Sequence, residues 1–302
     1  MRNYLLKLKK IILLFCFVNT ALFASDSTSV LKKRKIVLGI TSIALTSSSL
    51  VYLNQAWYQQ YNTSQFHFFN DNDEWLQMDK CGHTLTTYQT GRLMMNAMDR
   101  AGYTKKKQLV IGGLSGFAYM TAIEIMDGYS QGWGFSWGDE SANILGSGLA
   151  IGQKVLWNEQ RILLKFSYSS SSYAQYNPSL LGKSLSQQIL KDYNGQTYWL
   201  SINPSAFMKL ETKFPKWLNI AVGYGANGMI GAVNNNMIIT DKDGTVINFN
   251  RYRQCYVSLD ADLTRIKTKS KVLKTIFSCI NIIKIPFPNI EFSEGKIKGN
   301  YF

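Results

Sequence analysis

The hydrophobic period of the chain changes near residue 160, and this change restricts the fold more than any other feature. Before it, apolar residues come in long runs or at helical spacing. Ile36 to Leu53 is apolar but rich in Ser and Thr, and long enough to span a membrane or to form a buried core helix. Asp79 to Met98 sets Leu85, Tyr88, Leu93 and Met94 on one side. Gln108 to Met126 and Ser141 to Trp157 carry small residues, among them Gly112, Gly116, Gly146 and Gly148, which let helices approach closely. After the change the pattern alternates. Leu164, Phe166 and Tyr168 oppose Lys165, Ser167 and Ser169, and the alternation returns at 198–202, 218–224 and 257–263. The chain therefore reads as α+β. A helical bundle of about four apolar helices over residues 30–158 precedes an antiparallel β-sheet, or small partly closed barrel, over residues 159–302.

Finer signals fill in this outline. Asp241-Lys242-Asp243-Gly244 between apolar runs is a hairpin signature. The chain closes on Ile290 to Ser293 and Lys296 to Phe302, and helix-like stretches at Leu180 to Tyr193 and Lys271 to Ile283 interrupt the strands. Roughly seven or eight strands is near the minimum for a closed outer-membrane barrel. The aromatic terminus Phe302 fits such a barrel. Several strands fall short of the roughly 9–11 residues a membrane strand needs, so an open or partly closed sheet packed on the helical half is expected. Residues 54–78, with FHFFNDNDEW at 66–75, read as a packed irregular connection.

The amino terminus reads as an export signal over residues 1–24. Arg2, Lys7, Lys9 and Lys10 precede the short apolar run Ile11 to Val18, and Ala24 suits cleavage. Cys16 lies inside that run after Leu13, Leu14 and Phe15, with no small residue before it, so the pattern is not a lipidation signal. Removing these four basic residues, with no acidic ones, takes the formal charge from +14 to +10. For an exported chain this surplus points to membrane lipids as the partner, not to nucleic acid. Basic clusters at Lys32 to Lys35 and Lys105 to Lys107 flank apolar runs, as a membrane surface would require. Cys81, Cys255 and Cys279 have no paired spacing, which argues against a disulfide scaffold and a zinc site. The expected address is the cell envelope, facing the periplasm and associated with the outer membrane.

Three polar pairs stand at helix boundaries. Asp79 and His83 are four apart, with Lys80 between them; Glu124 and Asp127 are three apart; Asp139 and Asn143 are four apart. Each pair alone suits a cap or a first turn. Glu124 differs, because a carboxylate inside an apolar segment needs a partner, and Lys80, Arg92 or His83 could serve. If the three helices are neighbours, the carboxylates gather around one imidazole. Such a cluster can do acid–base work through His83 and Glu124, with Asp79, Lys80, Asp127, Asp139 and Asn143 in support. It can also bind a divalent metal, manganese or magnesium more readily than zinc, or lock the helices by hydrogen bonds with no metal required. The chain has no P-loop and no H-E-x-x-H.

The same residues resemble the YfiM-like family of predicted periplasmic lipoproteins, whose function is unassigned. The resemblance lies in Leu53 to Tyr58, Glu74 to His83, Ile123 to Gly128 and Ser136 through Asn143 to Gly146. Lys191 to Ser201 and Phe214 to Asn219 are similar to its longer, strand-bearing branch. The resemblance implies an envelope location and little chemistry. Asp79-Lys80-x-x-His83 is also similar to a short pattern in VanZ-like membrane proteins, which implies a lipid-linked role. Three functions follow as expectations: a structural or interaction protein of the envelope, an enzyme acting on a lipid or lipid-linked substrate, or an outer-membrane barrel with a helical plug.

Overall fold

Helices follow the apolar runs and strands follow the alternation. The computed structural model describes residues 28–208, 214–236, 238–240 and 243–301; the export signal and Phe302 lie outside these residues. The elements are α1 (Thr28–Ala56), α2 (Met78–Arg100), α3 (Lys105–Gly128, with a π turn over Gln108–Gly112), α4 (Trp137–Leu156), β1 (Ile162–Tyr168), α5 (Leu185–Lys191), β2 (Gln196–Ile202), β3 (Leu218–Asn227), β4 (Ile239–Thr240), β5 (Val246–Ile247), β6 (Tyr252–Ala261), α6 (Lys271–Ile280), β7 (Pro288–Ser293) and β8 (Lys296–Tyr301). The α+β reading holds, and the sheet is open, not closed into a barrel. The helix expected over Leu180 to Tyr193 is broken at Gly182, whose φ of 101° a helix cannot hold.

The chain divides into two units. One gathers residues up to Asn70, Thr86–Gln160 and Ile266–Asn281; the other gathers Asp71–Leu85, Arg161–Arg265 and the residues from Ile282 onward.

In the helical unit, α2 and α3 pack through glycine. A Cβ on Gly116 would lie 2.3 Å from the Thr87 carbonyl oxygen, and one on Gly91 would lie 2.6 Å from that of Gly113. Only hydrogen fits there. The start of α1 lies beside the α2–α3 connection. Arg34 Nη1 donates to the Arg100 carbonyl at 3.2 Å, and the Lys35 ammonium sits 5.1 Å from the Tyr103 ring centre. Further along, Tyr119 donates to Ser49 Oγ at 3.0 Å, so α1 and α3 run the same way. α6 is held by Arg92 Nη2, which donates to the Ser278 carbonyl at 3.0 Å, and by Arg100 Nη1, which donates to Thr275 Oγ1 at 3.0 Å. Ser136 caps α4 by accepting from the Asp139 amide at 3.2 Å. α1 and α3 are both long and apolar enough to cross a membrane.

In the other unit, an antiparallel sheet runs in the order β1-β2-β3-β6-β7-β8, and β4 and β5 form a separate hairpin. Burial alternates along β2, β3, β6 and β7. The apolar side is the one facing out. On β3, Asn219 and Ala221 are buried while Ile220 and Val222 are exposed; on β6, Ser258 and Asp260 are buried while Val257 and Leu259 are exposed. The polar interior holds because its members satisfy one another. Lys165 Nζ lies 2.8 Å from Asp260 Oδ2 with both side chains fully buried, and Ser201 Oγ donates to that same oxygen at 2.6 Å. Asn219 Nδ2 donates to Ser201 Oγ at 2.8 Å, and Asn203 Nδ2 donates to Asn219 Oδ1 at 2.6 Å. Lys284 joins by donating to Ser258 Oγ at 3.1 Å, and burial pushes its amine down to about 8 against the pull of Asp260.

The glycine packing makes a direct prediction. Gly116→Ala should lower the melting temperature of the full chain in detergent, at a cost of about 1–3 kcal/mol for overpacking against backbone. Gly148→Ala, whose Cβ meets nothing within 4 Å, should leave the melting temperature unchanged or raised. Circular dichroism melts check both, and an unshifted Gly116→Ala contradicts the close approach.

Candidate functional site

Both units carry predicted polar residues. Asp79, Lys80 and His83 occupy the first turns of α2 within the sheet-bearing unit. A tight turn delivers them: Trp75, Leu76 and Gln77 all have left-handed φ, at 48°, 51° and 64°. Such values strain non-glycine residues by about 1 kcal/mol or more each, and they persist only where surrounding contacts fix them. Here the contacts are specific. Trp75 is buried with Met78, Leu181 and Met229, and its amide donates to the Ala232 carbonyl at 2.8 Å. Tyr224 donates to the Leu76 carbonyl, and Arg253 Nη2 donates to Gln77 Oε1 at 2.6 Å.

Past this turn the carboxylates meet their partners. Lys80 Nζ lies 2.6 Å from Asp71 Oδ1 and 3.7 Å from Asp79 Oδ2. Asp79 Oδ1 accepts from Tyr193 Oη at 2.6 Å, and His83 Nε2 lies 3.9 Å from that oxygen. The Lys80 ammonium stands between Asp71 and Asp79. Burial, reinforced by Asp71 and Asp79, raises the Glu74 carboxyl to about 7. Burial and the nearby Asp79 raise the Cys81 thiol to about 11, which keeps it protonated and unreactive at neutral pH.

The second centre lies where α3 ends and α4 begins, within the helical unit. Glu124 is 1 % exposed, and its Oε2 accepts from the Ser136 amide at 3.0 Å. A carboxylate is thus placed against the positive end of α4, which favours its charge. Asp127 accepts from Tyr58 Oη at 2.7 Å. Burial, then the negative charge of Asp127, pushes the Tyr58 phenol far above its ordinary value. Asp139 lies in the first turn of α4, its amide capped by Ser136. Asn143 Nδ2 donates to Glu140 Oε2 at 3.0 Å, and Thr121 Oγ1 donates to Glu140 Oε1 at 2.7 Å.

Glu124, Asp127, Asp139 and Asn143 are thereby gathered about one helix junction. Sequence reasoning passed over Glu140 and Tyr58 here, and Asp71, Glu74 and Tyr193 in the first centre. Glu140 had a readable signal, since it stands three before Asn143 in the same first turn. Tyr193 had none, because it lies 114 residues from the aspartate it binds.

Residues 67–154 match a family model described as predicted periplasmic lipoprotein (DUF2279), a span that covers less than half of the chain and holds all seven predicted site residues. No curated protein matches the chain. No solved structure matches it either.

The raised Glu74 carboxyl sets a pH dependence. The folded chain holds this proton up to about pH 7, whereas the unfolded chain releases it near 4.5. Between those values the folded state binds more protons, so this group's contribution to stability falls as pH rises and is level above about 7. Glu74→Gln should flatten that decline in melting temperature between pH 4.5 and 7. Equal slopes for parent and variant would show that Glu74 titrates normally.

Proposed function

We propose that this chain is a cell-envelope protein held at a membrane by its helical unit, with a structural or interaction role. In this reading its polar centres hold elements together and turn over no substrate. The pairing at the start of α2 carries the proposal: Lys80 serves two aspartates, and Asp79 is engaged by Tyr193, as in a lock that orders a strained turn. The family description matched by residues 67–154 supports an address in the envelope and periplasm. The finer YfiM-like reading and an outer-membrane association go with that proposal. Lipid contact is supported by the outward residues Ile36, Ile40 and Ile43 of α1 and Val110 and Ile111 of α3, all more than half exposed. Aromatic rings gather beyond the far end of these helices: Phe68 stacks on Trp137 at 5.9 Å, and Phe66 meets Tyr129 at 5.3 Å. Lys32 to Lys35 and Lys105 to Lys107 stand at the opposite end. Aromatic residues at one end and basic residues at the other suit the two interfaces of a bilayer.

An enzymatic reading keeps one observation in its favour. A carboxyl titrating near neutrality, Glu74, stands in the electrostatic reach of Asp79, which itself faces His83. In that reading His83 and Glu124 would be the acid–base residues on a lipid-linked substrate.

Two measurements decide. Washing membranes with alkaline carbonate should leave the chain in the pellet, and release into the wash contradicts membrane anchoring. His83→Ala should lower the melting temperature if the first centre is a lock. An unchanged melting temperature, with loss of any activity found, favours the enzyme.

A further inference from the structure

The six-stranded sheet has its polarity reversed. Antiparallel sheets of soluble proteins turn apolar residues inward and polar residues out, whereas strands that face lipid do the opposite. Here the buried side carries Lys165, Asp260, Ser201, Asn219 and Glu291 around a small cluster of Trp199, Ala221 and Tyr256. The other side is aliphatic: strand register sets Leu200, Val222, Val257 and Ile290 in one row across four strands, and these residues are 38–48 % exposed. Ile220 and Leu259 form a second row beside it. A buried charge pair and an exposed aliphatic face on one sheet have opposite preferences in water, and both are satisfied if the outer face does not meet water.

We infer that the outward face of this sheet lies against the acyl chains of one leaflet of a phospholipid bilayer. Three features select lipid as the occupant. The first is the distribution along the strands. Exposed Trp217 stands at one end of the rows, Tyr198 and Tyr224 at the other end pack against the Trp75 and Met78 cluster, and the middle is aliphatic. Protein interfaces place such aromatic anchors at the centre instead. The second is charge complementarity. Exposed Arg253 at the tyrosine end and exposed Lys216 beside Trp217 are both positive, and no acidic residue points outward from β2, β3 or β6. Anionic head groups match that frame. The third is the sheet edge. The β1 side is covered, with the Phe166 amide donating to the Ile282 carbonyl at 2.8 Å and the Lys284 amide donating to the Phe166 carbonyl at 2.9 Å. Among the described residues no further strand pairs with β8, where Lys296 and Lys298 are exposed. An open edge cannot enter the hydrocarbon core, and lysines hold it at head-group level. The sheet therefore rests on one leaflet and does not span.

This inference depends on the membrane reading above only in requiring a bilayer within reach. The test uses the full chain in phosphatidylethanolamine–phosphatidylglycerol vesicles, with a diazirine analogue of leucine at Val222, Val257 or Ile290. Parallel samples carry it at Ile40 and Ile144 of the helical unit and at buried Ser258. Illumination should give phospholipid adducts at Val222, Val257 and Ile290 several-fold above the Ser258 background. Adducts to a second copy or to residues of the helical unit overturn the inference. Lipid adducts at Ile40 and Ile144 with none on the sheet also overturn it and leave the membrane reading standing. Lipid adducts at none of these positions overturn both.

Discussion

A lysine and an aspartate fully buried between strands set the sense of the whole sheet. Lys165 and Asp260 cannot be left singly in an apolar interior, where an unpaired charge costs several kcal/mol. Once they are paired, each neighbour must satisfy the remaining lone pairs and protons, and Ser201, Asn219, Asn203 and the Ile285 amide do so in sequence. The interior becomes polar strand by strand. Period-two alternation then sends Leu200, Ile220, Val222, Val257, Leu259 and Ile290 to the opposite side. The exposed apolar face is thus a consequence of the buried pair.

The helical unit solves a related problem at its helix ends. A carboxylate deep in an apolar helix would be costly alone, and Glu124 is answered by a backbone amide at the start of α4. Glycine lets α2 and α3 approach to backbone contact, which brings polar side chains within hydrogen-bonding reach without a wide core. Two of its helices are long and apolar enough to cross a membrane, and their outward faces remain aliphatic. Each unit, taken by itself, buries polar groups in pairs and presents apolar surface outward. The proposed lipid contact rests on that shared habit.

Much of the fold was legible in the sequence. The switch from apolar runs to alternation near residue 160 marks the passage from α4 to β1, and Asp243-Gly244 lies between the paired strands β4 and β5. Asp139 stands in the first turn of α4, one of the helix-boundary positions its pairing with Asn143 suggested. Which face of the sheet turns inward was not legible, because alternation fixes the faces and not their sides. Lys165 reads as a solvated residue until Asp260, 95 positions away, is known to lie beside it. The left-handed turn at Trp75 to Gln77 was hidden for the same reason: no glycine marks it, and partners from distant strands hold it. The predicted site residues stand at or near helix ends, while Tyr193 and Asp71 are brought in by contacts that no local pattern encodes.

The central claim is that a buried, mutually satisfied charge pair dictates the reversed sheet. A double-mutant cycle on Lys165→Met and Asp260→Leu, read by chemical denaturation of the full chain, tests it most directly. Each single change should destabilise by about 3–5 kcal/mol, since it strands the other charge, and the double variant should recover most of that loss. Single variants as stable as the parent, or losses that simply add, would contradict the account.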